Sequence, residues 1–548
     1  MRITFKRHYP LLLLFLAVVA SAVLTLGSTR VIAYVVEGQE LPDEAIINYD
    51  NSIDLFDDTV VHEVVVLISE EDQERMLQTY QETGEKDYFS ADIIIDGVRV
   101  NNVGIRLKGN ASLRTAGGGM GMGGGRPGGG GGDRQAPPEG GEPPEGFQGP
   151  EGGEPPEGFQ RPEGMGAPNF GGGGGESNLP YLVKFDEFVP GQRYQGYAEI
   201  ALRTSGIGAD TSLLQEPVTN YALNSVGVPI SQSVYASVQL TGSEPKLYTV
   251  AEHIDQVYVD RLFPDSDGVL YKVTRVGNDF SYLGEDPSLY DGIFDQKTAE
   301  GDADLAPLID FMRFVTEASD EEFAEQLPQH FDVVAFADYL AVHNLLGNND
   351  SLAGMGNNYY LYYDFDTEMF TTLSWDTNES LGKLSMGGGA DMDIYWGSIG
   401  DMFGGLLEAA QQQEEAVDET ASAESPDAEA LPEENDAAEA EGPPAARNAG
   451  PGNSRGPGGR GNHLLKERFF DTPEFLALYE ERYQLLYEQI YVDDLLTPKI
   501  EEFAALVTAH NAEHAIVDQD AFDAAVSSVL DYVSQRYQYL NSTELLGG

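Results

Sequence analysis

The sequence predicts an α+β fold that contains two disordered insertions and ends in a helical segment. Three observations support this class. Runs of β-branched residues recur through the first half of the chain, apolar residues at helical spacing dominate the last part, and two tracts have too little apolar content to bury a core. Strands, helices and polar loops follow one another in an order that is typical of an α+β fold.

The N-terminus predicts export. Three basic residues near the start precede a charge-free apolar run from Leu11 to about Gly27. This run is at the short limit for a membrane-spanning helix and is longer than most signal-peptide cores, so we interpret residues 1–36 as a signal anchor or a signal peptide. Positive charge before the run predicts that the rest of the chain is extracytoplasmic, either anchored in the membrane by this helix or secreted.

The net charge excludes one class of partner. The chain has 92 acidic and 31 basic residues, which gives a net charge of −61. Nucleic acid is not expected as a partner, because binding to phosphate backbones needs a cationic surface. Divalent cations or basic protein substrates suit this charge better. The alternative is that the acidity reflects a salty environment or serves solubility.

The N-terminal part of the folded region, residues 37–114, is rich in predicted strands. Two stretches have the β-branched pattern, "VVHEVVVLIS" and "ADIIIDGVRVNNVGIRLKGNAS", and a helical "EEDQERMLQTYQETG" separates them. The composition then changes, and glycine, proline and glutamate dominate residues 115–179, where "GGEPPEGFQGPE" is followed at once by "GGEPPEGFQRPE". We interpret this tract as a disordered insertion that either projects from the tip of a hairpin or shields a nearby site.

The predicted core of the domain is residues 180–404. It contains further strands and a helix that we expect to begin near Asp210 or Thr211, as well as an apolar helix in "FDVVAFADYLAVHNLLG". A linker follows in residues 405–461, first acidic and then rich in glycine and proline. Residues 462–548 have apolar residues at helical spacing and are expected to pack on the main domain.

The most informative stretch is "GNNDSLAGMGNNYYLYYD", which follows the apolar helix and is continued by "SWDTN". A strand hairpin, turning around Asp364 to Glu368, is predicted to bring Asp350 and Asp376 to the same end of a sheet. Two carboxylates and an amide are the hard oxygen ligands that Mg²⁺ takes when it also binds phosphates. In phosphoryl transfer, one aspartate orients a hydroxyl nucleophile while an asparagine and a second aspartate hold metal ions. The alternative is a set of ordinary turns and a helix cap.

Several stretches resemble the CotH family, a group of atypical protein kinases of the secretory pathway. The stretches, in the family's order, are "GIRLKGNAS", "TSLLQEPVTNYALNSVGVPIS", "LYTVAEHIDQVYVDRLF", "GVLYK", "NNDSLAGMGNNYYLYYD", "LSWDTNESLG" and "ERFFDTPEFLALYEERYQLL". The resemblance implies an atypical protein-kinase-like two-lobed fold. It also implies ATP and Mg²⁺ (or Mn²⁺) as cofactors, and exported protein substrates that are phosphorylated on Ser or Thr.

The resemblance assigns roles to residues of the polar loop and its hairpin. Asp350 matches the family's catalytic-loop acid, and Asn358 and Asp376 match the metal-binding amide and acid. His343, in "LAVHNLLG", is instead interpreted as a packed or capping side chain. The motifs H-R-D and D-F-G of standard protein kinases are absent from the sequence.

Residues that hold the nucleotide are expected on the strands. "GIRLKGNAS" stands where the family has a phosphate-covering hairpin, so Gly109, Asn110 and Ser112 are expected near phosphate oxygens. Lys184 is the expected strand lysine, with Glu216 as its partner on a helix.

Pro217 departs from this pattern, because it follows Glu216 immediately. Either the helix begins later than expected, or the Lys184–Glu216 pair does not form as in standard kinases.

The leading prediction is an exported, CotH-like Ser/Thr protein kinase acting on surface or envelope proteins. The alternative is a non-catalytic cell-surface scaffold or adhesion protein that retains the kinase-like fold. A third reading keeps nucleotide chemistry but transfers another group, such as AMP.

Overall fold

The computed structural model describes residues 46–109, 179–204, 211–264, 266–275, 277–299, 305–383, 389–396 and 463–547. The apolar run that starts at Leu11, most of both low-complexity tracts, and the predicted site residues Asn110 and Ser112 lie outside these ranges. Within them, no helix combines the length and apolarity needed to cross a membrane.

The described part of the chain is α+β, as the sequence predicts. The strands are β1 (Ile47–Tyr49), β2 (His62–Leu67), β3 (Phe89–Ile95), β4 (Val98–Leu107), β5 (Tyr181–Lys184), β6 (Gln192–Tyr194), β7 (Glu199–Arg203), β8 (Ser233–Leu240), β9 (Lys246–Glu252), β10 (Gly268–Val273), β11 (Phe294–Gln296), β12 (Tyr359–Asp364) and β13 (Met369–Ser374).

The α-helices of the described ranges fall into an early group and a late group. The early group is α1 (Glu70–Thr83), α2 (Gln215–Ser225), α3 (Gln256–Leu262), α4 (Ala306–Glu317), α5 (Asp320–His330) and α6 (Val333–Leu345). The late group is α7 (Leu464–Asp471), α8 (Pro473–Tyr487), α9 (Leu496–His514) and α10 (Gln519–Leu540).

Seven strands of the first half form a sheet that closes on itself, in the order β2-β3-β4-β5-β7-β9-β8. The closing contact is the parallel pairing of β2 with β8. Alternate side chains fill the interior, for example Val64, Ile105 and Val183, none of which is exposed to solvent. The opposite face of β4, β5, β7 and β9 therefore carries the other set of alternating residues, which includes Arg106 and Arg203.

A second sheet has four strands in the order β11-β10-β12-β13. Its antiparallel β12–β13 pair is the predicted hairpin, with Tyr359 opposite Ser374 at one end and Asp364 opposite Met369 at the other. The hairpin prediction is therefore confirmed. Residues Asn358 and Asp376 flank the open end of this hairpin, where α6 also delivers the chain.

Helix α2 begins later than the sequence suggested. The predicted start near Asp210 or Thr211 is wrong, because the helix begins at Gln215. Pro217 is then the third helical residue, in the first turn, where backbone N–H groups have no partner within the helix. Pro217 therefore lies in the first turn of α2, where proline is tolerated, and does not interrupt the helix.

The late helices pack on the same core as α6, which confirms the predicted packing of the C-terminal segment. Tyr483 of α8 donates a hydrogen bond to Asn344 of α6 at 2.8 Å. Arg536 of α10 is completely buried and donates to the side-chain oxygen of Asn344 at 2.8 Å and to the backbone oxygen of Met392. These buried contacts, of which those of Arg536 are charge-assisted, fix the helix that precedes the polar loop.

Candidate active site

The polar loop places Asp350 against two amides. Helix α6 ends at Leu345, and the loop that follows carries Asp350 just beyond it. One carboxylate oxygen accepts from Asn357 Nδ2 at 2.7 Å and the other accepts from Asn358 Nδ2 at 2.7 Å. Burial raises the pKa of Asp350 to about 7, reinforced by the charges of Asp376 and Glu379 and opposed by the amide hydrogen bonds. An acid with this pKa can exchange a proton near neutral pH.

Asn358 and Asp376 have backbone conformations that are rare for residues with a side chain. Their φ angles are 52° and 56°, in the left-handed region. Asparagine and aspartate tolerate this region better than other residues, but both conformations still carry a cost that surrounding contacts must offset. Such positions are concentrated at functional sites. Here they flank the open end of one hairpin, and the Asn358 side chain donates a hydrogen bond to Asp350 of the loop.

Asp376 is paired with an arginine of the closed sheet. Arg203, the last residue of β7, forms an ion pair with the Asp376 carboxylate, and its other terminal nitrogen lies 3.1 Å from Glu216 Oε1 on α2. Burial alone would raise the pKa of Asp376, but the charge and hydrogen bond of Arg203 outweigh it, with help from Lys108 and Lys272. The pKa of Asp376 is therefore lowered, and this acid is ionised at neutral pH.

The predicted pair of Lys184 with Glu216 is wrong. Lys184 Nζ lies 3.2 Å from Glu187 Oε2, and Arg203 occupies the position beside Glu216. The reason is strand register, because Lys184 stands opposite Glu199 at the start of β7. Arg203 is four residues further along that strand, which corresponds to about 13 Å. Lys184 is thus on the expected face of the sheet but at the wrong end of it.

Three cations that sequence reasoning missed converge on the indole ring of Trp375. Lys108 Nζ lies 5.0 Å from the ring centroid, Lys272 Nζ lies 5.7 Å from it, and Arg203 Cζ lies 5.4 Å from it. Burial, together with the charges of Arg203 and Lys272, lowers the pKa of Lys108 to about 7. A signal for Lys108 was present in "GIRLKGN", where Arg106 and Lys108 alternate with apolar residues on one strand face.

Of the predicted phosphate-covering residues, the structure describes Gly109. It follows Lys108 directly and has a φ of 86°, which a residue with a side chain rarely adopts. Its carbonyl oxygen accepts a hydrogen bond from Lys86 Nζ at 2.5 Å. The lysine next to it, rather than Gly109 itself, faces Trp375.

Residues 172–540 match the family described as "CotH kinase protein". The chain belongs to this family. A curated relative of the CotH chain is the inner spore coat protein H of Bacillus subtilis (strain 168), which is 23% identical over 201 residues. This match covers 36% of the present chain and 53% of the relative, so the chain spans about half of the relative's length. The family resemblance given by the sequence motifs is confirmed.

The donor set of this CotH protein fits a divalent metal together with a phosphate ligand. Asp376 and Asn358 supply hard oxygens at the hairpin end, and the side-chain oxygens of Asn348, Asn349 and Asn357 are buried without a hydrogen-bond partner among the described residues. In the described ranges, no group of three or more acidic or histidine side chains converges as a complete metal site. A metal held here would therefore need phosphate oxygens or water to fill its coordination sphere, as Mg²⁺ commonly does.

Proposed function

We propose that this CotH protein is an exported Ser/Thr protein kinase that transfers the γ-phosphate of ATP with the help of Mg²⁺ or Mn²⁺. In this proposal the closed sheet with α2 forms one lobe and the second sheet with α4 to α10 forms the other. The observation that supports it most strongly is that Asp350, Asn358 and Asp376 lie at one end of the hairpin, where Asp376 is paired with Arg203 of a cluster of cations. The proposal also includes export and membrane attachment through the N-terminal apolar segment.

The cations are the strongest argument for a phosphate-bearing ligand. The chain as a whole carries a net charge of −61, yet Lys108, Lys272 and Arg203 meet at one ring. Within the described residues, neither of the two ammonium groups lies within 4.0 Å of a carboxylate oxygen. A partly buried positive charge without a paired acid is costly, and a bound polyphosphate would offset that cost.

The proposed phosphoryl transfer depends on Asp350, Asp376 and Asn358. Asp350 accepts the proton of the Ser or Thr hydroxyl as its oxygen forms a bond to the γ-phosphorus. The bond between that phosphorus and the bridging oxygen breaks, and ADP leaves. Asp376 and Asn358 would hold the divalent ion, which would neutralise charge on the transferred group. Lys108, Lys272 and Arg203 would hold the non-reacting phosphates, and the acidic surface would favour basic protein substrates.

The direct test is phosphate incorporation into a basic, Ser-rich acceptor with ATP and Mg²⁺ or Mn²⁺. Wild type is compared with Asp350→Ala and Asp376→Ala, and product masses are measured. We expect both variants to lose about 10²-fold or more in rate, the usual effect of removing a positioned acid–base or charge-stabilising group. Asp366→Ala is the matched control, since Asp366 lies in the turn at the opposite end of the same hairpin.

Two other outcomes have distinct meanings. If wild type adds no phosphate but nucleotide still raises its melting temperature, the non-catalytic scaffold takes precedence over the kinase. If the acceptor gains the mass of AMP, the fold uses the same nucleotide but attacks a different phosphorus. Either result would refute the proposed reaction while leaving the nucleotide site intact.

A further inference from the structure

His343 connects the two segments that carry the proposed acids. Its ring lies in the last turn of α6, where Nδ1 is 3.0 Å from Asn348 Nδ2 and Nε2 is 2.9 Å from Ser374 Oγ. Asn348 is two residues before Asp350 in the loop, and Ser374 is two residues before Asp376 at the end of β13. All three linked side chains are completely buried.

The imidazole is suited to this position because it is neutral. Burial lowers the pKa of His343 to about 3, so the ring carries one donor and one acceptor at any physiological pH. Asn348 donates to Nδ1, which leaves Nε2–H to donate to Ser374 Oγ. Tyr339, one helical turn earlier, packs on the ring at 4.2 Å between centroids and restricts its rotation.

These contacts complete a closed circuit around the proposed site. From His343 the circuit passes to Asn348 and along the loop to Asp350, whose carboxylate is held by Asn358. Asn358 is followed by Tyr359, which stands opposite Ser374 in the β12–β13 ladder, and Ser374 returns to His343. The two hydrogen bonds of His343 therefore connect the polar loop, through Asn348, to the end of β13, through Ser374.

We infer that His343 is a positioning residue that fixes Asp350 and Asp376 relative to each other, through Asn348 and Ser374. This inference rests on the proposed kinase function for its catalytic consequence, but the geometry it describes does not. A side chain without donor and acceptor would leave two buried polar groups unpaired, and both acids would then vary in position. Small displacements of positioned groups lower turnover strongly.

The experiment compares three variants with wild type in the full chain. His343→Leu removes both hydrogen bonds, His343→Gln keeps a donor and an acceptor, and Leu340→Ala creates a cavity at a fully buried position one turn away on the same helix. We expect His343→Leu to lower kcat by about 10- to 100-fold with KM for nucleotide within about 3-fold. His343→Gln should recover part of kcat. Leu340→Ala should lower the melting temperature as much as His343→Leu but keep kcat within about 2-fold.

A loss of kcat in Leu340→Ala equal to that in His343→Leu would overturn the inference, because the effect would then follow stability alone. Failure of His343→Gln to recover any activity would also count against it.

A second measurement is independent of catalysis and uses Trp375, which lies between Ser374 and Asp376. The chain has two tryptophans, so Trp396→Phe makes Trp375 the single reporter. In that background, His343→Leu should shift the emission of Trp375 to longer wavelength and increase its quenching by acrylamide, whereas His343→Gln and Leu340→Ala should not. An unchanged spectrum in His343→Leu refutes the positioning role. The expected spectral change without phosphate transfer by wild type supports the positioning role and refutes the kinase proposal.

Discussion

Arg203 forms an ion pair with Asp376 although the two residues are 173 positions apart in the sequence. The pair joins the last residue of β7 to the residue just beyond the β12–β13 hairpin, and the same guanidinium also faces Glu216. One side chain thus connects the closed sheet, helix α2 and the proposed metal-binding acid.

Arg203→Gln should destabilise the protein strongly. Arg203 is 10% exposed and Glu216 is 6% exposed, so the substitution leaves Glu216 as a buried acid without its partner. We expect a loss of about 3–5 kcal/mol in the free energy of unfolding, measured by urea denaturation. The control is Arg99→Gln, because the Arg99–Asp92 pair is on the surface and should cost less than about 1 kcal/mol. Equal losses in both variants would contradict a structural role for the Arg203 pair.

Lys108→Ala should weaken nucleotide binding far more than Lys184→Ala. Lys108, which follows β4, faces Trp375 beside Lys272. Lys184 is instead paired with Glu187, at the far end of the neighbouring strand β5. We expect a rise in the dissociation constant of at least about 10-fold for Lys108→Ala, and less than about 3-fold for Lys184→Ala, by isothermal titration calorimetry. The reverse order would restore Lys184 as the phosphate-binding lysine that the sequence predicted.

The pH dependence of kcat/KM should be bell-shaped with a maximum near pH 7. Asp350 has a raised pKa of about 7 and must lose its proton to act as a base, so activity rises as pH increases through this value. Lys108 has a lowered pKa of about 7 and must keep its proton to hold phosphate, so activity falls above this value. Lys108→Arg should remove the descending limb, because arginine stays charged, and keep the ascending one. An unchanged descending limb would exclude Lys108 as its cause.

Asn358 allows backbone strain to be separated from ligand chemistry. Its φ of 52° suits glycine, so Asn358→Gly should be more stable than Asn358→Ala by about 1 kcal/mol in urea denaturation. Both substitutions remove the amide that holds Asp350 and that we assign to the metal. Both should therefore raise the Mg²⁺ concentration needed for half-maximal activity by a similar factor. If Asn358→Gly alone kept wild-type metal dependence, the amide would have no role in binding.

The features that the sequence predicted well depend on neighbours along the chain. Alternation of apolar residues predicted β2 to β4, and two aromatic strands around a polar turn predicted the hairpin that brings Asn358 and Asp376 to one end. Local patterns determine such elements, since side-chain periodicity and turn residues act over a few positions. The contact between Asp350 and Asn358 is equally local, because only seven residues lie between them.

The features that the sequence did not predict depend on register and on distant segments. The register of β5 on β7, in which Lys184 stands opposite Glu199, decides which residues of the two strands lie near α2. The local sequence does not distinguish this register from one that is shifted along the strand. Arg203 was therefore overlooked in favour of Lys184. Closure of the sheet depends on parallel pairing of β2 with β8, two strands separated by more than 160 positions. His343 was interpreted as packed, which it is, but its two partners lie on different elements.

Strands β4 and β5 are hydrogen-bonded neighbours, with Leu107 opposite Tyr181 and the N–H of Lys108 donating to the carbonyl oxygen of Pro180 at 2.9 Å. The described backbone on the two sides of residues 110–178 is thus held together by the sheet itself. The closure entropy of a loop grows with the logarithm of its length, so each doubling of the length costs only about 0.6 kcal/mol. We therefore expect changes in the length of the segment between β4 and β5 to have little effect on the stability of the closed sheet, although β4 ends beside Lys108, the lysine that faces Trp375.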